Sequence, residues 1–188
     1  MPMAIKILLL GAVLFVGIHL VPALGQTRAR LVSRLSLSGY KGLFTLFSLL
    51  GLGLMIYGKS KTPHIDIWSP AAWSRDVVPI FMLPSMVLLA AAKFPTNIKR
   101  FTPHPMMWGF ILWSGAHLLA NGDLASAILF GSIGAYSIIA ILSANQRGAN
   151  VSTTAVPLGK EAVVIGFGIA VYIALLFLHP ILFGVAVI

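Results

Sequence analysis

The chain reads as an all-α, polytopic membrane helix bundle of about six transmembrane helices. Three observations predict this. Hydrophobic residues make up 59% of the 188 positions and charged residues only 9%, where soluble domains carry about 25% charged residues. The apolar residues fall in long runs, each near the ~20 residues that cross a bilayer. The basic residues are unequally divided between alternate connections, which sets an orientation. No stretch between the runs is long or polar enough to fold as a soluble unit, so residues 1–188 form a single integral membrane domain.

The first apolar segment, Met3–Leu24, opens with Lys6 and ends in Ala23-Leu24-Gly25, an outline shared with cleavable signal peptides. Arg28, Arg30 and Arg34 follow at once. Such charge resists export, so the segment is expected to stay as the first span. The second segment is Gly39–Gly58. A long connection follows, Lys59 to Asp76, in which Trp68 and Trp73 read as interfacial anchors. Pro63, Pro70 and Pro79 are expected to keep it from forming one helix. The third segment, Val77–Phe94, contains Pro84, which predicts a kink. The fourth, Pro105–Asn121, is short, and Thr102-Pro103-His104-Pro105 reads as its helix start because proline suits the first helical position. The fifth is Leu124–Ala144. The linker Gln146–Pro157 is small and polar and reads as a mobile loop. The sixth, Lys160–Ile188, contains Pro180, which predicts a bend near its end.

Arg28, Arg30, Arg34, Lys41, Lys93, Lys99, Arg100, Arg147 and Lys160 lie on one side of this topology, and Lys6, Lys59, Lys61 and Arg75 on the other. The positive-inside rule makes the richer side cytoplasmic and places both termini on the outer, periplasmic side. The net charge of +9 is thereby assigned to topology and to membrane lipids as partners, not to nucleic acid.

The chain has no cysteine. That excludes disulfides, thiolate zinc sites, iron–sulfur clusters and covalently attached haem, but not histidine-ligated metals or non-covalent haem. Its acids are Asp66, Asp76, Asp123 and Glu161, none mid-span, so a carboxylate relay through the bilayer is not expected. The histidines are more informative. His19 lies near the inner end of the first span, on a face with Gly11, Phe15, Val16 and Ala23. His117 lies deeper, on a face with Met106, Gly109, Phe110, Trp113, Ser114 and Asn121. Small residues beside two bulky aromatics there suggest a groove for a flat ligand, or else close helix packing. His104 and His179 each precede a proline near an interface and read as structural. His64 with Asp66 offers only two donors, too few for a metal site. Two neutral imidazoles from different helices can supply both axial ligands of a b-type haem.

His104-Pro105-x-x-x-Gly109, followed by Trp113-x-x-Ala116-His117-x-Leu119-x-Asn121-Gly122-Asp123, resembles the NnrU family of membrane proteins. Gly17-x-His19-Leu20-x-Pro22 and the arginine-rich stretch after it do so too. The resemblance extends over nearly the whole chain. It implies a multi-pass protein of the bacterial inner membrane with a link to denitrification, the nitrite and nitric oxide reduction system. The zeta-carotene isomerase of plants and cyanobacteria belongs to the same family and uses haem b to isomerise a central cis double bond. Its two haem-ligating histidines match His19 and His117, and its His-Pro motif matches His104-Pro105, so the resemblance implies a haem b site with Trp113 and His104 nearby. Ser114 stands where the plant enzyme has a cysteine. A more distant likeness is to membrane methyltransferases that start a helix with Arg-His-Pro. Thr102-Pro103 replaces the arginine here, and the later paired glutamates are missing.

The expected function is therefore haem binding through His19 and His117, with isomerisation of a polyene or sensing of a small gas as its use. The alternatives are a cofactor-free accessory protein of nitrogen-oxide respiration and a lipid methyltransferase. One difficulty is visible in advance. His117 is twelve residues into a span entering from the side where His19 lies, so about 18 Å deeper, whereas two axial nitrogens stand about 4 Å apart. By depth alone, His19 and His104 match better.

Overall fold

A computed structural model describes residues 1–187. Six α-helices follow one another: α1 Met3–Leu20, α2 Gly25–Lys61, α3 Ser74–Lys93, α4 Pro105–Ala120, α5 Leu124–Gln146 and α6 Leu158–Phe183. Short 3₁₀ turns cover Val21–Ala23 and Asn97–Arg100. Five of the helices are long and apolar enough to cross a membrane. The exception, α4, has 16 residues and a length of about 24 Å.

The loops show that the helices alternate in direction. At one end, the 62–73 connection lies across the α4–α5 turn: Ile67 and Trp68 donate backbone hydrogen bonds to the Gly122 carbonyl (2.8 and 3.1 Å), and Leu124 donates to Ile65 (2.8 Å). At the other end, the 94–104 and 147–157 connections meet. Ser152 donates to the Lys99 carbonyl at 2.9 Å, and Asn97 exchanges two hydrogen bonds with the Val156 backbone (2.8 and 3.0 Å). Short as it is, α4 runs from one of these ends to the other.

Helix α5 is the hub. It packs on α4 and α1, α1 pairs with α2, and α3 pairs with α4 and α6. The tightest seam is α1–α2. A Cβ on Gly11 would lie 2.6 Å from the Met55 nitrogen, one on Gly51 2.7 Å from the Phe15 nitrogen, and one on Gly58 2.6 Å from the Leu8 nitrogen. Only glycine permits that approach, and in lipid such packing, not water exclusion, drives helix association. Gly168 plays the same part between α6 and Val87 of α3.

Several boundaries differ from the sequence expectation. The arginine-rich stretch before Gly39 is helical: α2 begins at Gly25 and breaks at Ser36, whose φ is 65°. The Ser36 hydroxyl accepts from Gly39 N (3.2 Å), capping the spanning part of the helix. Helix α3 starts at Ser74 and runs through both Pro79 and Pro84, so Pro79 does not terminate it. Pro79 is the sixth residue of the helix and Pro84 the eleventh, so each forfeits one intrahelical hydrogen bond without ending it. The last helix continues through Pro180 and stops at Gly184, in the left-handed conformation (φ 73°), so it ends short of the expected limit. Ile188 lies outside the described residues. The 146–157 linker is not free-running either, because Asn97 and Lys99 hold it in place.

Candidate functional site

His19 and His117 reach the same helix, α5, from α1 and α4. The His19 ring lies 4.2 Å from Phe15, 4.9 Å from Phe44 of α2 and 5.4 Å from Tyr136 of α5. The His117 ring lies 4.8 Å from Trp113 and stacks on Phe130 of α5 at 4.4 Å. Phe130 also meets the Trp113 ring at 4.9 Å, within a core that includes Leu8, Ala12, Met55, Leu129 and Ile133.

The two imidazoles share a hydrogen-bonding pattern. His19 Nδ1 is 2.7 Å from the Phe15 carbonyl, and His117 Nδ1 is 2.8 Å from the Trp113 carbonyl, each four residues back on its own helix. A carbonyl only accepts, so each Nδ1 carries the proton. In the neutral ring Nε2 then keeps its lone pair, and neither Nε2 has a hydrogen-bond partner among the described residues. This is the tautomer of a histidine that binds metal through Nε2. The bond also tips each ring toward the N-terminus of its helix. Because α1 and α4 run in opposite directions, the rings lean toward each other along α5.

The other histidines are engaged differently. His104 caps α4, and its Nε2 is 2.7 Å from Asn145 Oδ1 at the end of α5. His64 Nε2 pairs with Asp66 at 2.8 Å in an exposed loop, and His179 Nδ1 bonds to the Val185 carbonyl at 2.7 Å. No group of three or more metal-ligating side chains occurs among the described residues.

The residues expected to form a groove beside His117 are occupied by helix packing. Gly109 faces α3, where a Cβ would meet Leu89 at 3.0 Å, and its carbonyl accepts from Ser85 Oγ at 2.8 Å. Ser114 faces Gly134 of α5, and its buried hydroxyl has no partner. Trp113 fills the remaining space against Phe130.

The donor chemistry fits a b-type haem: two neutral imidazoles with unused Nε2 atoms in apolar, aromatic surroundings. Their separation is the point of strain. Phe130 and Tyr136 are six residues apart, which places the two points of contact about 9 Å apart along α5 and about 120° apart around it. Imidazoles sharing one iron have centres about 6 Å apart, from ~2 Å metal–nitrogen bonds and the ring radius. Sharing one iron would require the two rings to leave these positions, with rotation of the Phe130 ring that stacks on His117.

Sequence reasoning did not find the charged cluster at the rim of this site. Lys59, at the end of α2, donates to Ser126 Oγ at 2.6 Å, lies 3.8 Å from Asp123 Oδ1 and 5.6 Å from the Phe130 ring. Ser126 donates to Asp123 through its backbone N–H (2.9 Å) and its hydroxyl, so Asp123 caps α5. Burial pushes the Asp123 carboxyl up, but the Ser126 hydrogen bonds and the Lys59 charge outweigh it and hold the group below its ordinary value. The Asp-x-x-Ser spacing was the available signal for that cap.

The Asn121-Gly122-Asp123 motif is structural in the same way. Asn121 Nδ2 donates to the His117 carbonyl at 2.8 Å, and a Cβ on Gly122 would fall 1.8 Å from the Trp68 carbonyl oxygen. The motif closes α4, admits the crossing loop and starts α5.

No curated protein and no solved structure significantly matches this chain. The family model described as NnrU protein matches residues 7–187, which include every helix except the first residues of α1. This helical membrane protein, with His19 and His117 both packed against α5, belongs to the NnrU family.

Proposed function

We propose that the protein binds a b-type haem between α1, α4 and α5, which His19 and His117 would hold. The observation that carries this is the matched pair of imidazoles, each with Nδ1–H fixed to its own helix and Nε2 free. Trp113, Phe130 and Tyr136 would face the macrocycle. His104 serves as a helix-start residue, tied to Asn145. When bound, haem would supply a redox-active iron able to open a coordination site on losing one histidine.

Such a site suits a polyene or a small gaseous ligand arriving through the membrane. Family membership carries the link to nitrite and nitric oxide reduction and the possibility of isomerisation. The arrangement of basic residues supports a bacterial inner-membrane location with the 94–104 and 147–157 loops in the cytoplasm and both termini outside. Short α4 would then be a sixth crossing.

A second reading is a cofactor-free accessory protein of nitrogen-oxide respiration. The close aromatic packing of both histidines favours it, since the rings already fill the space. A methyltransferase finds less support, because the recess at His104, Lys99 and Met106 lacks paired glutamates. Spectroscopy of protein purified after haem-replete expression separates the readings. The wild type is expected to give a reduced, low-spin haem b spectrum, His19→Ala and His117→Ala to lose it, and His104→Ala to retain it. A colourless wild type, or variants with unchanged spectra, would overturn the haem site and leave the accessory reading.

A further inference from the structure

At the inner end of α1, the chain turns through Val21–Ala23 and enters α2, leaving a recess of about 330 Å³ lined by Pro22, Arg28, Tyr40, Lys41, Phe44 and Thr45. We infer that this recess binds the phosphate group of an anionic membrane lipid, held by Arg28 and Lys41 with the lipid chain passing Phe44.

Four features support the assignment. First, Arg28 and Lys41 are both exposed, and neither makes a salt bridge among the described residues. The carboxylates are spoken for elsewhere: Glu161, the one acid near this end of the bundle, accepts from Thr96 Oγ1 (2.7 Å) and Asn97 N (2.6 Å). Two unneutralised cations in one recess call for an anion, and a guanidinium is shaped to grip phosphate oxygens in pairs.

Second, Tyr40 is 93% buried, as its 7% exposure implies, and its hydroxyl has no hydrogen-bond partner. A buried phenol normally finds one. Phosphate oxygens entering the recess would provide the acceptor, and Thr45 a second donor.

Third, the backbone is strained to build this recess. Ser36 is the one non-glycine residue with positive φ among those described. Its break folds the Gly25–Leu35 helix back, so that the Arg28 guanidinium stands 5.8 Å from the Tyr40 ring centroid. A straight helix would separate those residues by about 18 Å along its axis. Strain of this kind persists where the surroundings hold it, often at ligand sites.

Fourth, the remaining walls are apolar. Pro22 and Phe44 supply them, and Phe44 is the ring that touches His19. A headgroup in the recess would therefore hold its hydrocarbon chain against the aromatic cluster around His19. The inference needs no haem: it concerns residues outside the histidine pair and stands if that pair binds nothing.

The test uses the full chain in a neutral detergent, titrated with short-chain phosphatidylglycerol, phosphatidylcholine of the same chain length, or inorganic phosphate, with the thermal midpoint as readout. Phosphatidylglycerol is expected to raise the midpoint saturably, the other two not. Arg28→Gln and Lys41→Gln should each weaken that response about tenfold, the usual scale for a charge-assisted hydrogen bond, and Tyr40→Phe about threefold. Arg34→Gln, on the same short helix but outside the recess, should leave it within about twofold. Equal responses to phosphatidylcholine, unaltered binding by Arg28→Gln and Lys41→Gln, or an equal loss in Arg34→Gln would overturn the site. Saturable stabilisation by inorganic phosphate alone would assign it to a free anion and overturn the lipid.

Discussion

The seam between α1 and α2 is made of backbone, whereas the face that α1 and α4 present to α5 is made of rings. Along the seam, Gly11, Gly51 and Gly58 bring main-chain atoms of the two helices into contact, with less than 3 Å of room for a Cβ. Nothing there can rotate out of the way. At α5, contact is made by Phe15, Phe44, Trp113, Phe130 and Tyr136 around two imidazoles, with ring centres 4.2–5.4 Å apart. Ring packing of this kind contributes about 0.5–1.5 kcal/mol per pair and rearranges by side-chain rotation. The molecule therefore has a rigid edge that aligns α1 beside α2, and an adaptable face where His19 and His117 can approach one another. A ligand that needs the two rings a few ångströms closer would be accommodated at the second region, never at the first.

Substitution at the seam should break this division most severely. Gly51→Val or Gly58→Val is predicted to cost about 3 kcal/mol or more, since overpacking against backbone finds no relief. Gly53→Val, where a Cβ meets nothing within 4 Å, should be nearly neutral. Detergent-titration unfolding of the three variants makes the comparison, and equal losses would show that the seam is not special. On the ring face, Phe130→Leu is predicted to cost less than about 1.5 kcal/mol, as a shape change among side chains. Because Phe130 stacks on His117, the same variant should take up haem at least as well as the wild type. A loss of haem in Phe130→Leu would mean that the ring supports the ligand instead of yielding to it.

Asp123 offers a smaller effect at the rim of that face. Its folded-state pKa lies below the ordinary 3.8, so its stabilising contribution is present above that value and is lost as pH falls through the folded one. Asp123→Asn should lower stability by about 1 kcal/mol at neutral pH, as for a lost helix cap. The gap to the wild type should close as the solution is acidified below 3.8. A gap independent of pH across that range would remove the carboxylate from the account. The smallest effect is expected at Ser36. Glycine there relieves the positive φ but loses the cap, so Ser36→Gly should change stability by no more than about 0.5 kcal/mol. Ser36→Ala keeps the strain and loses the cap, and should be worse by about 1 kcal/mol.

Much of the fold was legible because membrane helices are written locally. The six apolar runs, the helix start at His104-Pro105 and the turn at Asn121-Gly122-Asp123 all follow from the order of residues near one another. Arg28, Arg30 and Arg34 fall outside the apolar runs because their charge does not belong in lipid, yet they are helical, since a helix between spans carries charge without difficulty. Pro79 was read as a breaker, although a proline in the opening turns of α3 removes little hydrogen bonding. At the site, His19 and His117 are identifiable as imidazoles within apolar runs, but not Phe44, Phe130 or Tyr136, since each meets a histidine across a helix boundary, nor Lys59, which reaches α5 at Ser126.

The amino-acid sequence by itself determined that the chain is a helical membrane protein of the NnrU family, because hydropathy and motif spacing depend only on residue order. Tertiary structure alone decided that Gly109 serves α3 instead of a ligand groove, that His104 is tied to Asn145, and that His19 and His117 both pack against α5. Those outcomes depend on helix direction, crossing and depth, which arise from contacts between distant segments and are encoded in no single one of them.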